Sequence, residues 1–216
     1  MNKPLEHAIF YGILDARYVT PEKWTEKYDA LVSGGASIIQ LRAKDCSQKD
    51  RFRLTEQILE KRAASLAKQP PLVINVDIET ALRYPDLGLH ASQEDQYPMD
   101  ARERLGPNRL LGVSVHSREQ ADEILQLSDG IIDYFSVGPV FASPTKPYSA
   151  PIGLELIEYI ASKSPKLPFF CIGGINRKNI REVKAAGASN FVTVSDVLQA
   201  DDTESAVRET IQLARP

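Results

Sequence analysis

The sequence has few residues of the types that build metal clusters or disulfide frameworks. Among its 216 residues there are two cysteines, three histidines and one tryptophan. Cys46 and Cys171 lie far apart in the chain, and two scattered cysteines do not form a metal-ligand pattern. Cysteines used this sparingly favour a reducing compartment, so we expect a cytoplasmic protein.

The sequence also lacks strong charge runs and long hydrophobic runs. The formal net charge is -3, the pI is about 5.7, and no stretch is rich in lysine and arginine, which disfavours a nucleic-acid-binding protein. The opening segment, MNKPLEHAIFYGIL, is interrupted by Glu6 and His7, so we expect neither a signal peptide nor a membrane span there. Neither a G-x-G-x-x-G nor a Walker A motif is present.

Short apolar runs alternate with longer amphipathic segments along the whole chain. The composition, 43% hydrophobic and 25% charged, is that of a globular protein with a substantial core. Eight runs have the length and composition of buried strands: residues 8–14, 37–43, 71–76, 87–91, 110–115, 133–140, 168–174 and 190–195.

The segments between these runs predict helices. Ser117 and Gln120 fit a capping box, and Thr20 with Pro21 predicts a cap followed by a first-turn proline. Eight strands with interleaved helices and no composition break favour a single (β/α)8 TIM barrel over residues 1–216. Only about a dozen residues separate the third and fourth strands, so the third helix must be short, and an open sheet of seven or eight strands is the alternative.

The second strand carries polar residues where a buried strand should be apolar. Gln40, Arg42 and Lys44 are spaced two apart and therefore share one face, which in a barrel points inward. At the carboxyl end of the strand this face meets the barrel mouth, where active sites of such barrels lie. Two cations and an amide at an open rim predict a site for a polyanionic substrate. The alternative is a structural role, in which these residues form salt bridges inside the barrel. His90, in the fourth strand, is interpreted as a core histidine with satisfied hydrogen bonds.

The last two strands predict a second anion site. Gly173 and Gly174 end the seventh strand, a helix is expected to start at Asn176, and Ser195 ends the eighth strand. Glycines before a helix start leave backbone N–H groups free for an anion, and barrels often bind phosphate after strands seven and eight. A tight turn would explain the glycine pair equally well.

Polar residues also follow the other strands. Asn75 ends the third strand, Ser114 lies near the end of the fifth, and a proline-containing loop after the sixth carries Ser143, Thr145 and Lys146. Asp95 follows the fourth strand and could hold a divalent metal against a bound anion, because Mg²⁺ usually takes one or two carboxylates plus substrate phosphates.

These stretches together resemble the thiamine-phosphate synthase family and its thiazole tautomerase relatives. The resemblance rests on their order and spacing, in the segments GGASIIQLRAKD, LVINVDIETAL, GLHASQED, LLGVSVHS, DYFSVGPVFASPTK, CIGGINRKNI and AAGASNFVTVSDVL. It implies a (β/α)8 barrel that joins hydroxymethylpyrimidine diphosphate to a thiazole phosphate with Mg²⁺, giving thiamine phosphate and pyrophosphate. The implied partners are small-molecule substrates only, and self-association is left open.

The resemblance also implies a role for each site residue. The pyrimidine diphosphate would be held by Gln40, Arg42, Lys44, Asn75 and Lys146, with Ser114 beside the pyrimidine and Asp95 binding Mg²⁺. The thiazole phosphate would be held by Ser143, Thr145, Gly174 and Ser195, beside Gly173 of the second anion site.

Two positions depart from the patterns of these relatives. Synthases usually have Asn-Asp at the end of the third strand, with that Asp binding metal, whereas this chain has Asn75 and Val76, followed by Asp77. Strand alternation predicts that Asp77 points away from the site. Tautomerases carry a catalytic histidine where this chain has Pro139. The leading hypothesis is therefore a synthase; the alternatives are a catalytically weakened member that binds a thiazole or thiamine phosphate, and a thiazole tautomerase.

Overall fold

Eight parallel strands form one sheet in which each strand pairs with the next along the chain. The computed structural model describes residues 5–92, 98–127, 129–143 and 150–215. All eight predicted strands are present: β1 Tyr11–Asp15, β2 Ile38–Arg42, β3 Leu72–Asn75, β4 Leu87–Ser92, β5 Leu111–Val115, β6 Tyr134–Val137, β7 Phe169–Cys171 and β8 Asn190–Phe191. A parallel bridge between Phe10 and Phe191, with the Phe191 N–H donating to the Ile9 carbonyl at 2.8 Å, joins the last strand to the first. The sheet therefore closes into a barrel, and the open-sheet alternative is wrong.

Helices follow each strand on the outside of this barrel. In the described chain they are α1 Trp24–Gly34, α2 Gln48–Ala63, α3 Ile78–Arg83, α4 Pro98–Leu105, α5 Arg118–Gln126, α6 Glu155–Ser162, α7 Ile180–Ala185, α8 Ser195–Leu198 and α9 Thr203–Ala214. The third helix has six residues, as the short connection predicts. Within the described ranges no helix is both long and apolar enough to cross a bilayer.

Side-chain caps fix where several helices begin. Ser117 Oγ accepts from the N–H of Gln120 at 3.2 Å, and Gln120 Oε1 accepts in return from the N–H of His116 at 2.6 Å. The predicted capping box is thus confirmed, with its return bond one residue earlier than usual. The cap expected at Thr20 is wrong in part: Pro21 opens a short 3₁₀ turn before α1, but the Thr20 side chain makes no capping hydrogen bond.

Apolar side chains fill two layers, one inside the barrel and one between the strands and helices. Residues of odd phase in β1, such as Tyr11 and Ile13, point inward and pack with Ile38, Val73 and Phe170 in the lower part of the barrel. The opposite face of each strand packs against the helices. Because the interior is filled, polar groups are accommodated toward the carboxyl ends of the strands, which is where the candidate site lies.

Candidate functional site at the barrel mouth

The second strand places two of its three predicted polar residues inside the barrel. Gln40 and Arg42 are buried, with exposed fractions of 2% and 8%. The strand ends at Arg42, and Lys44 lies two residues further on in an exposed turn. The prediction of three residues in phase on one strand at an open rim is therefore wrong for Arg42, which is buried, and for Lys44, which lies beyond the strand.

Arg42 is held by a carboxylate that sequence reasoning missed. Asp15 and Arg42 are register partners at the ends of β1 and β2, and Asp15 Oδ2 accepts from Arg42 NH1 at 2.6 Å. Asp15 is 1% exposed, and its Oδ1 accepts from the N–H of Arg17 at 3.0 Å. A single carboxylate that directly follows an apolar strand run, in phase with Tyr11 and Ile13, was the available signal.

A chain of hydrogen bonds crosses the barrel interior from β2 to β5. Gln40 Nε2 donates to the Tyr11 hydroxyl at 2.7 Å, and that hydroxyl lies 3.0 Å from the hydroxyl of Tyr134. The Tyr134 hydroxyl lies 3.1 Å from His90 Nδ1, and His90 Nε2 lies 3.1 Å from Ser114 Oγ. The prediction of a satisfied core histidine at His90 is confirmed, and the chain links two candidate site residues, Gln40 and Ser114.

The two phenols in this chain stay protonated. Burial raises the pKa of Tyr11, and its hydrogen bonds with Tyr134 and Gln40 lower it only in part. Burial also raises the pKa of Tyr134 well above its ordinary value, with the nearby Tyr11 adding to the shift. Each phenol therefore contributes one O–H donor and acceptor lone pairs to the chain at any physiological pH.

The end of β3 has an unusual backbone. Asn75 is half-buried and pairs in register with His90. Val76 follows with φ of 63°, and the Asp77 N–H donates to the Asn75 carbonyl at 2.7 Å, so the three residues form a γ-turn of the rare type with positive φ. Positive φ is strained for a β-branched residue, and such strain is typical of functional sites.

Asp77 points away from the mouth, as strand alternation predicts. Its carboxylate caps α3 by accepting from the N–H and hydroxyl of Thr80 at 3.0 and 2.7 Å, and accepts from Arg51 Nε at 2.8 Å. Burial works to raise the pKa of Asp77, but these hydrogen bonds outweigh it and hold that pKa below its ordinary value. The carboxylate is thus ionised and already committed to partners.

The described residues do not by themselves form a metal site. In the ranges that the structure covers, no group of three or more His, Cys, Asp and Glu side chains converges. Val76 has no ligand atom on its side chain, and Asp77 is committed to Thr80 and Arg51. The predicted metal ligand Asp95 lies outside the described residues, as do Thr145 and Lys146.

The end of β7 presents backbone rather than side chains. The carbonyls of Ile172 and Gly173 accept from the N–H groups of Val140 and Phe141, at 2.9 and 3.0 Å. Because a trans peptide sets N–H opposite C=O, the N–H groups of Gly173 and Gly174 both point away from this segment, and β8 is the neighbour on the other side of β7. Neither N–H donates to another residue within the described ranges.

Glycine is required at both positions by the neighbouring loop and by backbone conformation. Gly173 and Gly174 have φ of 100° and 65°. A Cβ at Gly173 would lie 2.4 Å from the Cα of Pro139, and one at Gly174 would lie 2.6 Å from the Ala142 carbonyl oxygen. The loop after β6 is therefore seated directly on this glycine pair.

The helix start expected at Asn176 is wrong, since α7 begins at Ile180. The Asn176 N–H donates to Asn179 Oδ1 at 2.8 Å, so it is not available to an anion. Asn179 Nδ2 in turn donates to the Gly174 carbonyl at 2.9 Å and fixes that peptide. Ser195, predicted in the same site, is the half-buried first residue of α8, and Ser143 is half-buried at the edge of the described loop after β6.

Eight parallel strands with outer helices define a (β/α)8-barrel protein, and the polar groups at the carboxyl ends of the strands form its candidate site. Within this class, the chain belongs to the thiamine monophosphate synthase family, whose model matches residues 10–197. The chain is 36% identical to the thiamine-phosphate synthase of Arthrobacter sp. (strain FB24), over 96% of this chain and 94% of that protein. It is 38% identical to the thiamine-phosphate synthase of Roseiflexus sp. (strain RS-1), over 95% of this chain and 84% of that protein.

Solved structures agree with the fold. The thiamine phosphate pyrophosphorylase from Pyrococcus furiosus superposes with a TM-score of 0.75 at 28% identity, covering 96% of this chain and 95% of that one. A 3-hexulose-6-phosphate synthase superposes with a TM-score of 0.66 at 14% identity, over 95% of this chain and 99% of that one, which is a likeness of fold alone.

Proposed function

We propose that this protein is a thiamine-phosphate synthase, which joins hydroxymethylpyrimidine diphosphate to a thiazole phosphate and releases pyrophosphate. Membership of the family over residues 10–197 supports this reading. The structural observation that carries it is a pair of anion-binding features on one mouth, Arg42 at the end of β2 and the glycine N–H groups after β7. Two substrates that each bring a phosphate group need two such features, separated here by β8 and β1.

Side chains from β2, β3 and β5, and from the loops after β2 and β6, hold the pyrimidine substrate in this proposal. Gln40, Asn75 and Ser114 contact the pyrimidine end, and Arg42, Lys44 and Lys146 neutralise its diphosphate. A guanidinium has five N–H donors, so the bond from Arg42 NH1 to Asp15 leaves others for diphosphate oxygens. Holding Arg42 in advance lowers the cost of organising it when the substrate binds.

The glycine pair and its surroundings hold the second substrate. The N–H groups of Gly173 and Gly174, with Ser195, Ser143 and Thr145, take the thiazole phosphate. Backbone N–H groups in a fixed turn bind a phosphate without any loss of side-chain entropy. The phosphate then fixes the thiazole nitrogen in line with the pyrimidine methylene, which supplies the proximity that the reaction needs.

Charge stabilisation, rather than proton transfer, does the chemical work in this proposal. Pyrophosphate leaves first, and the thiazole nitrogen captures the pyrimidine-methyl cation. Cations beside the leaving group stabilise the charge that develops on it, which is the largest catalytic effect available to such a site. Arg42 is suited to this role because its ion pair with Asp15 already holds it in place, so it needs no reorganisation during the reaction.

Magnesium belongs to the proposal, although the described residues offer it no ligand set. Asp95, substrate diphosphate oxygens and water would be its ligands, and Mg²⁺ commonly binds through one or two carboxylates with the remainder supplied by phosphates and water. When bound, the ion supplies further neutralisation of the leaving diphosphate.

An assay with both substrates tests the proposal. The protein is incubated with both over a range of Mg²⁺ concentrations, while pyrophosphate and thiamine phosphate are measured; omission of either substrate is the control. We expect both products in equal amounts. If wild type makes no thiamine phosphate at any Mg²⁺ concentration, and a folded Val76→Asp variant is also inactive, the synthase proposal fails. Equilibrium binding of thiazole phosphate would then support the alternative of a binding protein without turnover.

A further inference from the structure

Three buried residues inside the barrel have no part in the proposed reaction, yet they connect two residues that do. Tyr11, Tyr134 and His90 lie between Gln40 on β2 and Ser114 on β5, each within 3.1 Å of the next polar atom in the chain. All three are at most 6% exposed. Such a chain is more than a filled core, because the hydrogen of each group must go to a specific neighbour.

The Gln40 amide sets the direction of the chain. In the orientation that the structure gives it, Nε2 donates to the Tyr11 oxygen. Tyr11 then gives its only hydrogen to Tyr134, and Tyr134 gives its own to His90 Nδ1. A neutral imidazole that accepts at Nδ1 carries its hydrogen on Nε2, so His90 donates to Ser114.

Ser114 is left with one role toward the mouth. Its oxygen accepts from His90 Nε2 and from Ser136 Oγ, which lies 3.4 Å away; Ser136 Oγ also lies 3.3 Å from His90 Nε2 and shares its N–H. With its lone pairs occupied, the hydroxyl hydrogen of Ser114 is the group that remains for a ligand. At the other end, the Gln40 oxygen remains as an acceptor, since the amide nitrogen is engaged with Tyr11. The chain thus couples a donor at Ser114 to an acceptor at Gln40.

We propose that His90 and Tyr134 are positioning residues that determine specificity for an aminopyrimidine by holding Ser114 as a donor and Gln40 as an acceptor. This inference rests on the proposed function and deepens it. An aminopyrimidine offers acceptor ring nitrogens for the Ser114 hydroxyl and a donor amino group for the Gln40 oxygen. The oxo analogue, in which the amino group is replaced by a carbonyl, offers a ring N–H and an acceptor oxygen. The carbonyl of this analogue would set an acceptor against the Gln40 acceptor, and mismatched buried polar groups give strong discrimination.

Nitrogen-15 NMR of labelled histidine tests the direction of the chain in the intact protein. With three histidines in the sequence, the His90 signals can be assigned by their loss in a His90→Gln variant. We expect hydrogen on Nε2 and none on Nδ1 at neutral pH. A hydrogen on Nδ1, in either the other tautomer or an imidazolium, overturns the inference.

Equilibrium binding tests the specificity without requiring turnover. The dissociation constants of the aminopyrimidine diphosphate and its oxo analogue are measured by calorimetry for wild type, Tyr134→Phe and Tyr28→Phe. Tyr28 is the matched control, because it is also a buried phenol with hydrogen bonds, to Gln69 and Arg62, but it lies outside the barrel. We expect the ratio of the two dissociation constants to fall about tenfold in Tyr134→Phe and to stay unchanged in Tyr28→Phe.

Variants of His90 sharpen the test. His90→Leu should lose most of the discrimination, whereas His90→Gln, which keeps an N–H donor near Ser114, should retain part of it. An unchanged ratio in Tyr134→Phe, with only a lower melting temperature, would mean that the chain is merely structural. If wild type is inactive but still binds the aminopyrimidine more tightly than the oxo analogue, the proposed function is wrong and this inference holds. If wild type is active but binds both compounds equally, the proposed function holds and this inference is wrong.

Discussion

The two sides of the barrel mouth are built on different principles. On the side of β1 to β3, charged and polar side chains are buried in pairs, as with Asp15 and Arg42. On the side of β7, the groups without a partner among the described residues are the N–H groups of Gly173 and Gly174, and both glycines have positive φ angles. Both sides bend sharply where a strand ends, but β3 makes its turn through Val76, a residue that is strained there.

This difference shows where stability and function are coupled. A buried side-chain pair contributes both to folding and to binding, so its loss should lower both the free energy of unfolding and the affinity for substrate. A backbone amide cannot be removed by substitution and can only be displaced, so the glycine side is sensitive to added bulk rather than to lost groups. The partly exposed cations around the mouth should affect binding alone.

The largest effect is expected at Arg42. Arg42→Ala leaves the Asp15 carboxyl buried without its guanidinium partner, and breaking a buried pair in this way costs about 3–5 kcal/mol of stability. Arg177→Ala is the matched control on the other side, because its ion pairs with Asp196 and Glu209 are partly exposed and should be worth about 0–1 kcal/mol. Denaturant unfolding of both variants measures the loss in free energy of unfolding. Equal losses in the two variants would contradict the distinction between the two sides of the mouth.

Gly174→Ala should come next. A Cβ there meets the Ala142 carbonyl and Phe141 at 2.6 and 2.7 Å, and φ is 65°. The left-handed backbone and the overlap together should cost about 2–4 kcal/mol and weaken thiazole-phosphate binding. Gly106→Ala separates the two contributions, because Gly106 also has positive φ but a Cβ there meets nothing within 4 Å. If thermal melts show the same loss for both variants, the contact with the β6 loop does not matter.

A smaller effect of opposite sign is expected at Val76. Asn and Asp tolerate the left-handed region better than a β-branched residue, so Val76→Asn should raise stability by about 1 kcal/mol. Val76→Asp should in addition lower the Mg²⁺ concentration for half-maximal rate, since it adds a carboxylate beside Asn75. A Mg²⁺ titration of wild type, Val76→Asn and Val76→Asp separates strain from charge. The idea is contradicted if Val76→Asn shifts the titration as much as Val76→Asp.

The smallest effect on stability is expected at Lys44. This residue is exposed in the turn after β2, so Lys44→Ala should change the free energy of unfolding by no more than about 0.5 kcal/mol. Loss of a charged hydrogen bond should nevertheless weaken diphosphate binding about tenfold. Calorimetric titration with pyrophosphate measures it, with Lys61→Ala, on the exposed surface of α2, as the control. An unaltered affinity in Lys44→Ala would remove this residue from the site.

Sequence patterns predicted the architecture well because the barrel repeats a simple unit. Each strand run is apolar and short, and each was found within a few residues of its predicted bounds. The errors lie at ends, where local hydrogen bonds decide. The second strand stops at Arg42, before Lys44, and α7 starts four residues after Asn176 because the Asn176 and Asn179 side chains cap the intervening turn.

The partners inside the barrel could not be predicted from spacing. Tyr11 and Tyr134 are 123 residues apart and meet only because the sheet closes with a particular register. The inward phase of Gln40 and Arg42 followed from alternation, but whether Arg42 would face solvent or a carboxylate depended on the β1–β2 pairing that sets Asp15 beside it. The roles of Asp95, Thr145 and Lys146 stay predictions.

The seam between β8 and β1 has a consequence for synthesis on the ribosome. The edge of the first strand is completed only when the backbone around Phe191 reaches Phe10. At about 5–20 residues per second, the nascent chain therefore waits roughly 10–40 s with an unpaired strand edge and part of its apolar interior uncovered. Closing so long a loop adds little to the equilibrium cost of folding, but it delays the moment at which the edge is protected. The newly made chain should accordingly depend on molecular chaperones until its eighth strand has emerged.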